Sequence, residues 1–217
     1  MFNSPFDIAA SLLAVGAFLV VGFPVHEFSH AFAAFRLGDN TARWQGRLTL
    51  DPRRHFDPLG GSLLALSAIL GGFFIGWAKP TPVNPNNLQG GRHGEAVVAA
   101  AGPLSNLLMA AVGAVAVRAI DSFGLAPLPD TTSVSFLLYV SLETFVLINV
   151  WLFLFNLIPI PPLDGYRVLL GLVSPRTAWT LRQYEQYGVM LILVVFLVGG
   201  RVLAPIGQNV FDFLVAH

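Results

Sequence analysis

Cysteine is absent from the 217-residue chain, and charge is scarce, with only 11% of residues Asp, Glu, Lys or Arg. Without cysteine there are no disulfides, iron–sulfur clusters or thiolate metal sites, so any bound metal must rest on nitrogen and oxygen ligands. Soluble domains usually carry about 25% charged residues. Twelve basic and twelve acidic residues balance to zero net charge, and the absence of a basic field excludes nucleic acid as the expected partner. Met1 to Phe6 contain no Lys or Arg, so the amino-terminal apolar run reads as a retained span rather than a signal peptide. No internal repeat or low-complexity tail is present. Nothing outside the apolar segments is long enough for a second folded domain, and residues 1–217 read as a single membrane-embedded domain.

What the chain has instead is hydrophobicity in long runs: 55% of residues are hydrophobic and the mean hydropathy is +0.69. Four segments reach the ~20 residues a helix needs to cross a bilayer. They are residues 8–25 (continuing as a helical pattern to 37, ended by Gly38), 95–120, 134–157 and 184–203, the last followed by Pro205. A fifth apolar run, residues 59–78, contains Gly60, Gly61, Gly71, Gly72 and Gly76, and paired glycines weaken a continuous helix. It leads into Lys79-Pro80-Thr81-Pro82-Val83-Asn84-Pro85, where the prolines forbid helix and favour extended chain. The expected fold is an all-α polytopic membrane protein with about four full transmembrane helices plus one re-entrant or broken hydrophobic segment. At membrane depth, irregular backbone must pack on protein or line a wet cavity.

The first span contains His26-Glu27-Phe28-Ser29-His30, an HExxH pattern. On a helix, positions i and i+4 share one face, so both imidazoles can reach one metal ion with the Glu beside it. Such groups at the end of an apolar span cost several kcal/mol together unless they are used. Two histidines leave a catalytic zinc short of one protein ligand, and Asp164 is the best candidate. It follows Pro159, Pro161 and Pro162, which stop the third span, and Gly165 is expected to permit a turn back toward the interior. Taken alone, Leu-Asp-Gly after prolines is more often an ordinary loop turn; the HExxH reverses that weighting. His55 and His93, in Arg-containing loops, read as solvated. Glu143 reads as an interfacial carboxylate near the start of the third span. Asn149 reads as an interhelical hydrogen-bonding residue, and Asn106 either bonds across helices or lines a cavity.

These residues resemble the site-2 protease family, the zinc metalloproteases of regulated intramembrane proteolysis. HEFSH matches its HExxH, Asn156 to Gly165 matches its second signature, and Gly102-Pro103-Leu104-Ser105-Asn106 resembles the opening of the span between them. Gly76 to Pro80, through Asn84-Pro85, looks like the loop of the compact subgroup that lacks PDZ and CBS domains. The resemblance implies one Zn²⁺ per chain on His26, His30 and Asp164, with Glu27 as catalytic base. It also implies that Asn156 helps position substrate or the oxyanion, and Asn106 is a further candidate substrate contact. The implied substrate is a membrane protein with a transmembrane helix, which must be locally unwound before its carbonyls are open to attack. The oligomeric state is left open. So are two rival classes: a metal transporter or channel, which would not require Glu27, and a catalytically silent relative that keeps only zinc or substrate binding. Pro24, two residues before His26, should kink the first span.

For His26 and Asp164 to share a metal, the first and third full spans must run parallel with one crossing between them, so residues 59–78 must return rather than cross. A returning run places ten of the 12 basic residues on one side and two on the other; a crossing run would give seven and five. The positive-inside rule favours the first arrangement, which puts the site nearer the cytoplasmic side of a cell membrane.

Overall fold

The computed structural model describes residues 5–70, 76–129, 133–195 and 200–215. No strand occurs among them, and three helices are long and apolar enough to cross a membrane. These are α1 (Pro5–Arg36), α3 (Arg92–Ser122) and α4 (Val134–Asn156). A shorter apolar helix, α2 (Pro58–Leu70), lies between α1 and α3. Four more follow α4: α5 (Asp164–Leu172), α6 (Pro175–Arg182), α7 (Gly188–Val194) and α8 (Gly200–Val215).

Within α1 the α pattern gives way to a π-helical stretch, Phe18–Gly22, and resumes at Phe23. Pro24 supplies the physical reason. It has no N–H to offer the carbonyl of Val20, and its ring crowds that carbonyl. In the turn just before it the ladder is already out of α register, with the Phe23 N–H reaching back to the Phe18 carbonyl. The expected disturbance is thus a widened turn, which re-aims the side chains that follow, His26 and His30 among them. Gly38, at φ +102°, ends α1 in the left-handed conformation that a residue without Cβ takes readily.

The run at residues 59–78 starts and finishes in one place. Thirteen residues of α2 rise only about 20 Å, against a hydrocarbon core of ~30 Å. Gly71 and Gly72 lie outside the described residues. Beyond them the chain comes back along α2: Gly76 lies against Leu64, Trp77 against Gly60, and the Lys79 N–H donates to the His55 carbonyl at 2.8 Å. The returning stretch, Gly76–Asn84, is not helical. Pro80 and Pro82 have no N–H to donate, and the N–H groups of Thr81 and Asn84 are spent on α1 and the turn after it. The Asn84 N–H reaches Asp39 at 2.7 Å, which also accepts from the Asn87 amide at 3.0 Å and from the Thr41 N–H and hydroxyl. Burial raises the Asp39 pKa, but these donors outweigh it and hold the carboxyl below the usual range. The buried Arg47 guanidinium donates to the carbonyls of Arg54, Lys79 and Pro80. That wrapping overturns one expectation: His55 is not solvated but 1% exposed, with its Nε2–H on the Thr49 carbonyl at 2.7 Å. His93 is exposed, as expected.

Helix α3 is the hub, packing on α1, α4 and α5. Its contact with α4 is built from small residues. Ala110, Gly113 and Ala114 meet Val146 and Val150, and a side chain at Gly113 would collide with Val146. Lipid is as apolar as leucine, so association inside a bilayer relies on such close backbone approach. The opposite stripe of α3, Val97, Leu104, Leu108, Val112 and Val115, is 55% to 67% exposed. A continuous apolar stripe of that kind fits hydrocarbon, not water. The chain is a membrane protein.

One further expectation changes, and another falls partly outside the described residues. Glu143 stands nine residues after Val134, roughly 14 Å along α4, too far in for the helix dipole to act on it. The fourth expected span, residues 184–203, includes 196–199, which lie outside the described residues; α7 and α8 flank them. Pro205, which follows that segment, lies inside α8. An interior proline costs about 3 kcal/mol. The packing of Val210, Phe211, Leu214 and Val215 against the α3–α4 cluster offsets it.

Candidate metal centre

Helix α1 presents His26 and His30 one turn apart, and α3 passes directly over them. Gly102 is the reason it can. A Cβ there would overlap the His30 ring and stand 2.7 Å from His26 Cε1, so only glycine lets the α3 backbone lie on both imidazoles. Asp164 comes from the other side, as the first residue of α5. Gly165 serves a different purpose from the expected one: its φ is not positive, but a Cβ would run into the carbonyls of Leu157 and Ile158. Lack of a side chain folds α5 back against the end of α4. Arg92 of α3 then fixes the far end of α5 by donating to the carbonyls of Leu170 and Val173, at 3.1 and 2.9 Å.

The three side chains meet closely. His26 Nε2 and His30 Nε2 are 3.0 Å apart, and Asp164 Oδ2 lies 3.3 Å from the first and 3.4 Å from the second. The protons on these groups decide what that means. His30 Nδ1 faces the Val98 carbonyl at 2.7 Å; a carbonyl only accepts, so Nδ1 carries the proton and Nε2 of the neutral ring is a bare lone pair. His26 Nδ1 faces Asn106 Oδ1 at 2.6 Å, with the same consequence. Two imidazole lone pairs and a carboxylate oxygen therefore converge on one point, an arrangement that repels unless a cation sits among them. Zinc holds N and O ligands at about 2.0–2.2 Å, which sets tetrahedral neighbours roughly 3.3 Å apart, the spacing found here. Among the described residues these three form a group able to hold a metal ion, and the absence of a fourth protein ligand leaves room for water or substrate.

Glu27, 9% exposed, lies beside the group. Its Oε2 accepts from the Thr81 N–H at 2.8 Å, and the Thr81 hydroxyl donates to the Glu27 carbonyl at 3.0 Å. All of these groups open onto a cavity of about 870 Å³, lined also by Asn106, Asn156, Trp77, Pro80 and Arg167. At one edge of the cavity the buried Glu95 pairs with Arg182 at 3.4 Å and Arg167 at 4.0 Å.

Over 193 residues, 86% of this chain and 82% of the relative, the sequence is 40% identical to "Putative zinc metalloprotease YwhC" of Bacillus subtilis. It is 35% identical over 194 residues to "Putative zinc metalloprotease Rip2" of Mycobacterium tuberculosis, covering 89% of this chain and 70% of that one. The chain belongs to the site-2 protease family. A further Rip2, from Mycolicibacterium smegmatis, is 31% identical over 198 residues, 88% of this chain and 71% of that one. No family model and no solved structure matches.

The chain is thus a membrane metalloprotease, and the residues that the site-2 protease signatures single out fall in one place. His26, Glu27, His30, Asp164, Asn106 and Asn156 all line the same cavity. Asn106 does both things the sequence left open: it lines the cavity and bonds across helices to Asn149 at 2.9 Å. Three participants were given no role of their own by the sequence. Thr81 is marked only by its flanking prolines, Glu95 is an isolated carboxylate, and the role of Gly102 depends on which helix crosses it.

Proposed function

We propose that this protein is an intramembrane zinc endopeptidase that cuts transmembrane or membrane-proximal segments of other membrane proteins. The observation that carries the reading is the convergence of two Nε2 atoms, each on a ring whose Nδ1 faces an oxygen acceptor, and a carboxylate, next to a second carboxylate, Glu27, that takes no part in the convergence. His26, His30 and Asp164 would hold one Zn²⁺ per chain. When bound, zinc polarises a scissile carbonyl and lowers the pKa of a water molecule. Glu27 accepts the proton of the attacking water and returns it to the leaving amine; the Thr81 N–H holds one of its oxygens and leaves the other to do this. Asn156, at the end of α4, offers an amide to the carbonyl oxygen or to the substrate backbone beside it.

The reading is tested by metal analysis of purified protein together with cleavage of a model transmembrane substrate. Wild-type protein is expected to carry about one zinc per chain and to cleave. Asp164→Ala is expected to lose most of the metal, because two imidazoles alone hold zinc poorly. Full occupancy in Asp164→Ala would transfer the third-ligand role to another residue.

The meeting of both ends of the run at residues 59–78, with the charge asymmetry, supports a re-entrant hairpin and a zinc site nearer the cytoplasm. An unwound substrate could add alongside Gly76–Asn84, whose prolines offer carbonyls rather than donors to an incoming strand. With no native cysteine, single cysteines can map the topology. Trp44→Cys and Gln89→Cys should label from one face and Leu128→Cys from the other, all three native positions being exposed. Labelling of positions 44 and 89 from opposite faces would mean that the run crosses.

A further inference from the structure

We infer that Asn149 and Asn106 form a polarised relay that fixes the tautomer and ring orientation of His26, which makes both of them positioning residues for the metal. The inference rests on the reading of His26 as a ligand. The direction of every bond follows from one end. The Phe145 carbonyl can only accept, so the group facing it at 2.9 Å is the Asn149 amide Nδ2. Asn149 Oδ1 is then turned toward Asn106 and accepts from Asn106 Nδ2 at 2.9 Å. That leaves Asn106 Oδ1 toward His26 Nδ1, at 2.6 Å, where it demands a proton on Nδ1 and a bare Nε2. Both asparagines are 0% exposed, so water does not compete for these bonds. The relay runs from the backbone of α4 through α3 to α1 and couples the packing of three helices to one nitrogen lone pair.

Without the relay, His26 is free to carry its proton on Nε2, pointed at the metal position, and its ring loses its stop. An uncharged amide does here what a carboxylate or backbone carbonyl commonly does behind a metal-binding histidine. The loss of such a partner typically lowers metal affinity 10- to 100-fold.

The test is zinc affinity by chelator competition, with the Co²⁺ absorption spectrum as a second readout, on full-length protein in detergent or lipid. Asn106→Leu removes the acceptor and should weaken zinc binding 10- to 100-fold. Asn106→Asp keeps an acceptor opposite Nδ1 and should stay within about threefold of wild type. Asn149→Leu should weaken binding in the same direction, because Asn106 can then turn its Nδ2 toward His26. The double variant Asn106→Leu/Asn149→Leu should bind no more weakly than Asn106→Leu alone, since Asn149 acts only through Asn106. Equal affinities in Asn106→Leu and Asn106→Asp, or additive losses in the double variant, would overturn the relay. His26→Ala separates the two levels. If it binds zinc as wild type does, the ligand assignment itself fails; if it loses zinc while Asn106→Leu and Asn149→Leu keep full affinity, only the relay fails.

Discussion

Glu27→Gln protein is expected to purify with its zinc and to lose cleavage by a factor of about 10²–10⁴, the range a positioned general base contributes. The substitution keeps the size of the side chain, and its amide oxygen can still accept from the Thr81 N–H that now holds Oε2. What disappears is the basicity. The three converging ligand atoms belong to His26, His30 and Asp164, so metal content should not follow activity. That dissociation is the informative result. Measured by metal analysis and substrate cleavage on one preparation, a Glu27→Gln enzyme with substantial turnover would remove Glu27 from the chemistry. A variant that lost zinc as well would place Glu27 in the metal's support instead.

Gly102→Ala should act in the opposite sense, weakening metal binding while leaving the helix intact. Alanine is the better helix former by about 1 kcal/mol, so helicity should hold or rise. Yet the added methyl group would occupy the space of the His30 Nε2 and Cε1 atoms and press on His26 Cε1. The rings have little room to retreat. His30 is tied to the Val98 carbonyl and His26 to Asn106, and overpacking a fitted contact costs about 1–3 kcal/mol. Directed at ligand geometry, an effect of that size corresponds to a loss of zinc affinity of about 5- to 150-fold, read by chelator competition alongside circular dichroism. Wild-type affinity with unchanged helicity would show that the α1–α3 contact is looser than this geometry implies.

Much of this protein was legible in the chain. The membrane class follows from composition and run length. Three spans fall within a few residues of their expected bounds, because ~20 apolar residues admit few other solutions in lipid. His26, Glu27 and His30 are readable because their geometry is local: a helix fixes the relation of i to i+4 whatever surrounds it. Asp164 needed the HExxH to give it meaning, since a proline-bounded Leu-Asp-Gly is otherwise an ordinary turn.

The rest was decided by which helix lies on which. His55 looked like a loop histidine, yet it is buried because the chain returns over it at Lys79. Pro205 follows the fourth apolar run, and α8 runs through it, since packing on α3 and α4 outweighs a local penalty. The glycines at 102 and 165 carry no positive φ; each is required by a contact with another segment, and no local rule reveals such a contact. Asn106 and Asn149, 43 positions apart, become one device only when α3 and α4 are placed side by side. Sequence by itself determined the solvent, the spans and the chemical identity of the ligands, because these depend on composition and on the period of a single helix. Tertiary structure alone decided the protonation, spacing and confinement of those ligands, because those depend on atoms brought together from distant parts of the chain.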